Sequence, residues 1–272
     1  MEFRGSSRRS PTLHPGAWLV WTLCASLIAI STTNPFYLLP LFAAALLIYA
    51  TQRRAGVGAS TFKAFVLFGL VALVTRTILV VFGPVTKEAL AAAALEGLRL
   101  AVLLSVYGAL NSVTDPYRFL GLAPRRFHEP ALAAALALSI APRTVEAVGQ
   151  VREAQRLRGI RIARWRTLPA LAVPVLETGM EQAVTLAESM DARGHGRGAR
   201  SRYRPQPWGW SSWIIVLPAL VALAVFATDV VANDGGLSVS TFPLVWPEAD
   251  PLLVAGVMLL AVPALLPREV HS

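Results

Sequence analysis

Two short stretches of the chain pair an arginine with a glycine in nearly the same way. They read Ala154-Gln155-Arg156-Leu157-Arg158-Gly159 and Ser189-Met190-Asp191-Ala192-Arg193-Gly194, with Arg158 and Arg193 35 residues apart. Each closes a segment that reads as an amphipathic helix. The first runs from about residue 130 to 160, with Pro142 as an expected kink or break, and the second from about 168 to 193. Glycine just past a helix caps it by adopting the left-handed conformation, and an arginine there meets the negative end of the dipole. Capping explains one such end. Two in one stretch read as a repeated device for presenting a guanidinium, a planar and permanently charged fork suited to bidentate contact with carboxylates and carbonyls.

Other residues that could do chemistry are dispersed. The four histidines, His14, His128, His195 and His271, form no HxxxH or HExxH pair for a metal. A single cysteine, Cys24, excludes an intramolecular disulfide and a cysteine-based zinc site. Glu177, Glu181, Glu188 and Asp191 cluster on one side of the second helix at about 100° per residue, which reads as a solvated acidic face. No phosphate loop of the form GxxxxGK[ST] is present. The expectation is a chain without cofactor, metal or catalytic site of its own.

The elements that must position the arginines belong to a membrane protein. Of 272 residues, 55% are hydrophobic and 15% charged, against about 25% charged in an ordinary soluble domain. A bilayer core of about 30 Å takes about 20 apolar residues in a helix. Apolar runs fall at about 17–33, 36–51, 64–82, 89–113, 211–232 and 252–267, with turn signals at Asn34-Pro35 and Gly83-Pro84. Between Thr114 and Arg204 the longest uncharged run is 130–142, which suits an interfacial or packed helix. Eleven arginines lie between Arg152 and Arg204.

The net charge is +9, and only Lys63 and Lys87 among the basic residues are lysine. Arg4, Arg8 and Arg9, Arg53, Arg54 and Lys63, the arginine-rich stretch and Arg268 alternate with loops poor in basic residues. Since basic loops stay cytoplasmic, topology accounts for the charge better than nucleic-acid binding does. The expectation is an all-α polytopic bundle of about six spans with both ends inside. It comprises a cytoplasmic tail at 1–15, spans at 16–113, cytoplasmic coupling helices at 114–205, and the last two spans and tail at 206–272. Within the spans, Glu96 and Arg99 are expected to pair locally and Arg76 to snorkel or pair.

The two helix ends resemble the short Ala-Arg-Gly-type motifs of the transmembrane T component of energy-coupling factor (ECF) transporters, the EcfT/CbiQ family. Glu188 to Gly194 is similar to the second motif and Ala154 to Gly159 to the first, with Leu157 where alanine is usual. Arg99-Leu100, Thr114-Asp115-Pro116 and Glu146 follow the family's order, while Ala141-Pro142-Arg143 inverts its usual arginine before proline. The resemblance implies a bacterial inner-membrane subunit that joins two ABC ATPases to one substrate-binding S component for a vitamin or transition-metal ion such as cobalt. It implies that Leu157, Arg158, Gly159, Ala192, Arg193 and Gly194 dock on the ATPases, supported by Gln155, Glu188 and Asp191, with the glycines permitting close backbone approach.

Three alternatives stand beside it, one of them a basic membrane-surface scaffold that binds anionic membrane lipid, which describes the charge but not the repeated motif. A conventional ABC importer permease carries an EAA-x3-G loop, imitated at Glu153-Ala154-Gln155 and Gly159, although Leu168-Pro169 comes too early. A membrane-embedded enzyme for a lipid or prenyl substrate would need paired acids for a diphosphate-bound Mg²⁺, and Asp115 and Asp191 are isolated.

Overall fold

The computed structural model describes residues 13–52, 57–80, 86–159, 169–195, 208–232 and 249–266. The N-terminal arginines, Arg53-Arg54, Gly83-Pro84, the arginines from 197 to 204 and the segment from Pro267 onward lie outside them. Nine α-helices are described: α1 Pro15–Ser31, α2 Pro35–Gln52, α3 Val57–Leu79, α4 Lys87–Val113, α5 Pro116–Leu120, α6 His128–Leu157, α7 Pro169–Ala192, α8 Trp210–Ala232 and α9 Pro251–Leu259. Short 3₁₀ turns occupy Arg125–Phe127 and Val262–Leu265. Among the described residues there is no strand, and the protein is an all-α membrane protein.

Helix starts follow local chemistry. Proline stands at the first position of α1 and α9, where its missing N–H costs nothing. His14 caps α1 by accepting the Gly16 N–H on Nδ1 at 3.1 Å. At the Asn34-Pro35 turn the Asn34 side chain accepts the Phe36 N–H at 3.0 Å and so opens α2. Thr86 caps α4 and Asp250 caps α9 in the same manner.

The chain divides into two compact units, Met1–Phe119 with Gln206–Ser272, and Leu120–Pro205. In the first, α4 packs along α3 and also meets α1 and α2, α8 packs on α1, and α9 lies against α8 and α2. Trp21, Ile28, Leu38, Leu41, Val102, Val106, Ile215 and Phe226 are fully buried there. Between helices in lipid, close van der Waals packing does the work that water exclusion does elsewhere, so small residues line the contacts. The α3–α4 seam is the clearest case: a Cβ on Gly97 would stand 2.8 Å from Leu73 Cα, and one on Gly69 2.8 Å from Ala101 Cα. In the second unit, α6 and α7 pack on each other.

Three sequence expectations need correction. The run at 252–267 is not one spanning helix: α9 ends at Leu259 and the chain tightens into a 3₁₀ turn. Pro263 lacks the N–H that would bond to the Leu259 carbonyl, and its ring crowds that position. Polar side chains satisfy the carbonyls freed there. Trp21 Nε1 donates to Leu260 O at 3.0 Å, and Gln52 Nε2 to Pro263 O and Leu266 O at 3.3 and 2.7 Å. Second, α6 runs through Pro142 as one helix. By length and composition α6 ranks with α2, α3, α4 and α8 as able to cross a membrane, whereas α1 is shorter, at 17 residues. None of the described side chains of α6 is buried within the protein. Third, Glu96 does not pair with Arg99. It pairs across the seam with Arg76 of α3, and Arg99 donates to the Ile30 carbonyl. That carbonyl is in the last turn of α1, where carbonyls lack helical partners and the dipole is negative.

Candidate functional site at two arginine-glycine helix ends

The ends of α6 and α7 share one backbone device. Gly159 has φ 81° and Gly194 φ 75°, the left-handed region that costs a residue with a Cβ. At the α7 end, the Gly194 N–H donates to Asp191 O at 2.8 Å and the His195 N–H to Met190 O at 3.0 Å. Those two bonds, from the first and second residues past the cap, make a complete Schellman motif. At the α6 end the Gly159 N–H makes the corresponding bond to Arg156 O at 3.0 Å. Arg158 and Arg193 therefore occupy the same position, the C-cap, and each N–H still closes a helical bond, to Ala154 O and Ser189 O.

Among the described residues nothing within 4 Å would meet a Cβ on either glycine. There the sharp turn, not crowding, is what requires glycine.

Both ends face outward. Leu157, Arg158, Gly159, Ala192 and Arg193 are exposed and Gly194 is half-buried, with Leu157 at 86%. Among the described residues no hydrogen bond or ion pair engages the guanidinium of Arg158 or Arg193. Among the described residues the apolar Leu157, beside an arginine whose guanidinium is unengaged, packs against no core. Glu188 and Asp191 are exposed on α7, and Gln155 is half-buried on α6. Among the described residues no group of three or more metal-binding side chains comes together.

One feature of the second unit escaped the sequence reading. Val173, Leu176, Met180 and Val184 form an apolar stripe along α7, each more than half exposed. With Glu177, Glu181 and Thr185 they line an open groove of about 950 Å³. The spacing of three and four is legible in the sequence, and the stripe borders the acidic face, whose Glu177, Glu181, Glu188 and Asp191 are exposed as expected.

Comparison with known proteins places these helix ends in a family. Residues 6–204 match the family CbiQ, described as cobalt transport protein. The energy-coupling factor transporter transmembrane protein EcfT of Thermanaerovibrio acidaminovorans is 31% identical over 150 residues, covering 49% of this chain and 56% of that protein. Its counterpart in Bacillus subtilis is 32% identical over 132 residues, covering 45% and 49%. That in Bacillus selenitireducens is 29% identical over 153 residues, covering 50% and 56%. The chain thus spans about half the length of the curated relatives it matches. The match across residues 6–204 takes in both arginine-glycine ends and the helices that carry them, and on it the chain belongs to the CbiQ family.

Proposed function

We propose that this chain is the energy-coupling membrane subunit of a bacterial plasma-membrane importer for a vitamin or transition-metal ion. The observation that carries the reading is the duplicated helix end: two exposed arginines whose guanidinium groups are unengaged among the described residues, each at a C-cap followed by a left-handed glycine. In this reading Leu120–Pro205 faces the cytoplasm, as the arginine content of that stretch favours. Arg158 and Arg193 each enter a groove on one of two ABC ATPases, forming bidentate contacts with carboxylates or carbonyls. Leu157 and Ala192 pack beside them, and Gln155, Glu188 and Asp191 frame the contact. The glycines hold the arginine at the tip of each helix, so the ATPase surface can approach closely.

The remaining surfaces fit the same role. The apolar stripe on α7 suits a substrate-binding membrane S component, and the exposed apolar start of α6 suits the membrane surface. Opening and closing of the ATPases then moves α6 and α7 as levers. The chain hydrolyses nothing itself; it transmits motion.

The test is co-purification and transport in cells carrying the ATPases and the S component. Replacing either arginine with alanine strips one side of a desolvated charge contact, a loss of about 2–5 kcal/mol. One intact end keeps the effective concentration of the ATPase pair high, so single variants keep a weakened complex. Lysine rescues poorly, since a point charge cannot reproduce the fork. ATP hydrolysis by the purified chain alone would contradict the reading.

A further inference from the structure

Helix α4 turns three sides to three surroundings. Gly97 and Gly108 face α3. Val102 and Val106, on the far side from those glycines, are fully buried in the core. Glu96, Leu100 and Tyr107 form the third side, within about 40° of one another at about 100° per residue, and all three are exposed.

Charge gathers at one end of this open side. Glu96 pairs with Arg76 across the seam, and both side chains are about half exposed. Arg99, three residues on, donates to the Ile30 carbonyl of α1. Among the described residues Arg99 has no acidic partner. Two arginines thus stand against one carboxylate, and one positive charge is left unbalanced. Each guanidinium makes one of these contacts out of its five N–H donors.

The depth of the cluster fits a headgroup. The apolar stretch of α3 ends at Leu79, three residues past Arg76, or about 5 Å along the axis. The close approach of Gly97 to Leu73 puts Glu96 at a neighbouring level of α4. The guanidinium groups therefore lie near one rim of the span, where arginines reach for the interface. From the cluster the open side continues through Leu100 to Tyr107. From Glu96 to Tyr107 the rise is about 16 Å, close to half of a hydrocarbon core of about 30 Å. A positive cluster at the rim above an apolar track one leaflet deep has the outline of a phospholipid.

We propose that this face of α4 binds one anionic phospholipid. Its phosphate lies on the guanidinium groups of Arg76 and Arg99, and one acyl chain runs along Leu100 and Tyr107. Phosphate oxygens match the planar fork of arginine. Glu96 and the Ile30 carbonyl hold the two forks in place, the carbonyl without neutralising its arginine. An anionic headgroup balances the remaining charge, whereas a zwitterionic one brings a second cation to a cluster that is already positive. The proposal is independent of the coupling role above.

The experiment uses the full chain in a neutral detergent, titrated with phosphatidylglycerol or with phosphatidylcholine of the same acyl chains, and native mass spectrometry counts the lipids retained. The parent should retain one phosphatidylglycerol with a preference of about fivefold, the order expected for one net basic charge at an anionic headgroup. Arg76→Gln and Arg99→Gln should each bring the two lipids level. Glu96→Gln, which removes the negative charge, should keep or widen the preference. Equal retention of both lipids by the parent would overturn the proposal, as would loss of the preference in Glu96→Gln to the same extent as in Arg76→Gln, which is what a purely structural ion pair predicts. Glycerophosphate, the headgroup without its chains, should not displace the lipid; displacement would overturn the assignment to a phospholipid.

Placement is read separately. Phosphatidylglycerol with a diazirine on its acyl chain should form adducts between Leu100 and Tyr107, and adducts confined to other helices would overturn the site. In cells, Leu100→p-benzoylphenylalanine should crosslink to lipid; a protein adduct in its place would assign this face to a partner helix and overturn the proposal. If an arginine variant fails to fold, the parent's preference and the adduct map still decide.

Discussion

Helices α4 and α7 are of similar length, 27 and 24 residues, and both mix acids with small apolar side chains. Their surroundings are opposite. On α4 nine residues are buried, among them Gly97, Ala101, Ser105, Gly108 and Ser112, and close contact with α3 uses the missing side chains. On α7 none of the described side chains is buried, and its apolar stripe stands open. The difference teaches that, among the described residues, α4 is closed by contacts within its own unit, whereas α6 and α7 leave their faces open, as the proposed docking on a second molecule requires. The same contrast holds for arginine. Arg76 and Arg99 are engaged by Glu96 and the Ile30 carbonyl, while the guanidinium groups of Arg158 and Arg193 engage nothing among the described residues.

The sharpest way to break this comparison is a matched pair of glycine substitutions. Gly97→Leu forces a side chain against Leu73 Cα and should cost about 1–3 kcal/mol or more, as overpacking does. At Gly179 on α7 an added Cβ has nothing within 4 Å among the described residues, and Gly179→Leu should be neutral or stabilising by up to about 1 kcal/mol from helix propensity. Thermal unfolding in detergent, followed by circular dichroism, reads both. Equal losses would erase the distinction between the two regions.

A smaller effect is expected at the helix ends. Gly194→Ala, at φ 75°, should cost about 1–2 kcal/mol of local stability. Hydrogen exchange should report it as faster exchange of the Gly194 and His195 amides, with the α4 amides unchanged. Gly159→Ala should speed exchange at its own amide in the same way. Protection that survives either change would mean the turn is not held as described.

The smallest effect belongs to the Arg76–Glu96 pair, whose side chains are 52% and 48% exposed. A double-mutant cycle of Arg76→Ala and Glu96→Ala should give a coupling of about 0.6 kcal/mol, the average for polar contacts between membrane helices, and not above about 1.7. A coupling indistinguishable from zero would show that the two charges do not act on each other in the bilayer.

Much of this was legible from local chemistry. The apolar runs marked α1, α2, α4 and α8 to within two or so residues, α3 began seven residues before its run, Asn34-Pro35 gave the first turn, and the two glycines announced left-handed caps. What escaped was whatever depends on a partner far along the chain. Helical spacing makes Glu96 and Arg99 neighbours, but it cannot see Arg76 on the facing helix or the Ile30 carbonyl. Hydropathy treats 252–267 as uniform because it scores side chains and not backbone hydrogen bonds, although Pro263 was there to be weighed. His14 stands alone in the sequence, since its ring partner Trp208 is nearly two hundred positions away. Helices α6 and α7 were recognisable by their ends, and the acids of α7 are exposed as expected, but the apolar stripe from Val173 to Val184 beside those acids is seen only in the structure.

The central claim is that Arg158 and Arg193 are the points through which this chain holds its ATPases. The most direct measurement is the amount of ABC ATPase recovered with affinity-tagged chain from membranes, comparing the parent, each single alanine variant, the Arg158→Ala/Arg193→Ala double variant and the exposed α6 control Arg152→Ala. The account predicts full recovery with the parent and the control, reduced recovery with each single variant, and none with the double variant, all at equal levels of membrane-inserted chain. Recovery and transport at parental levels from the double variant would contradict it.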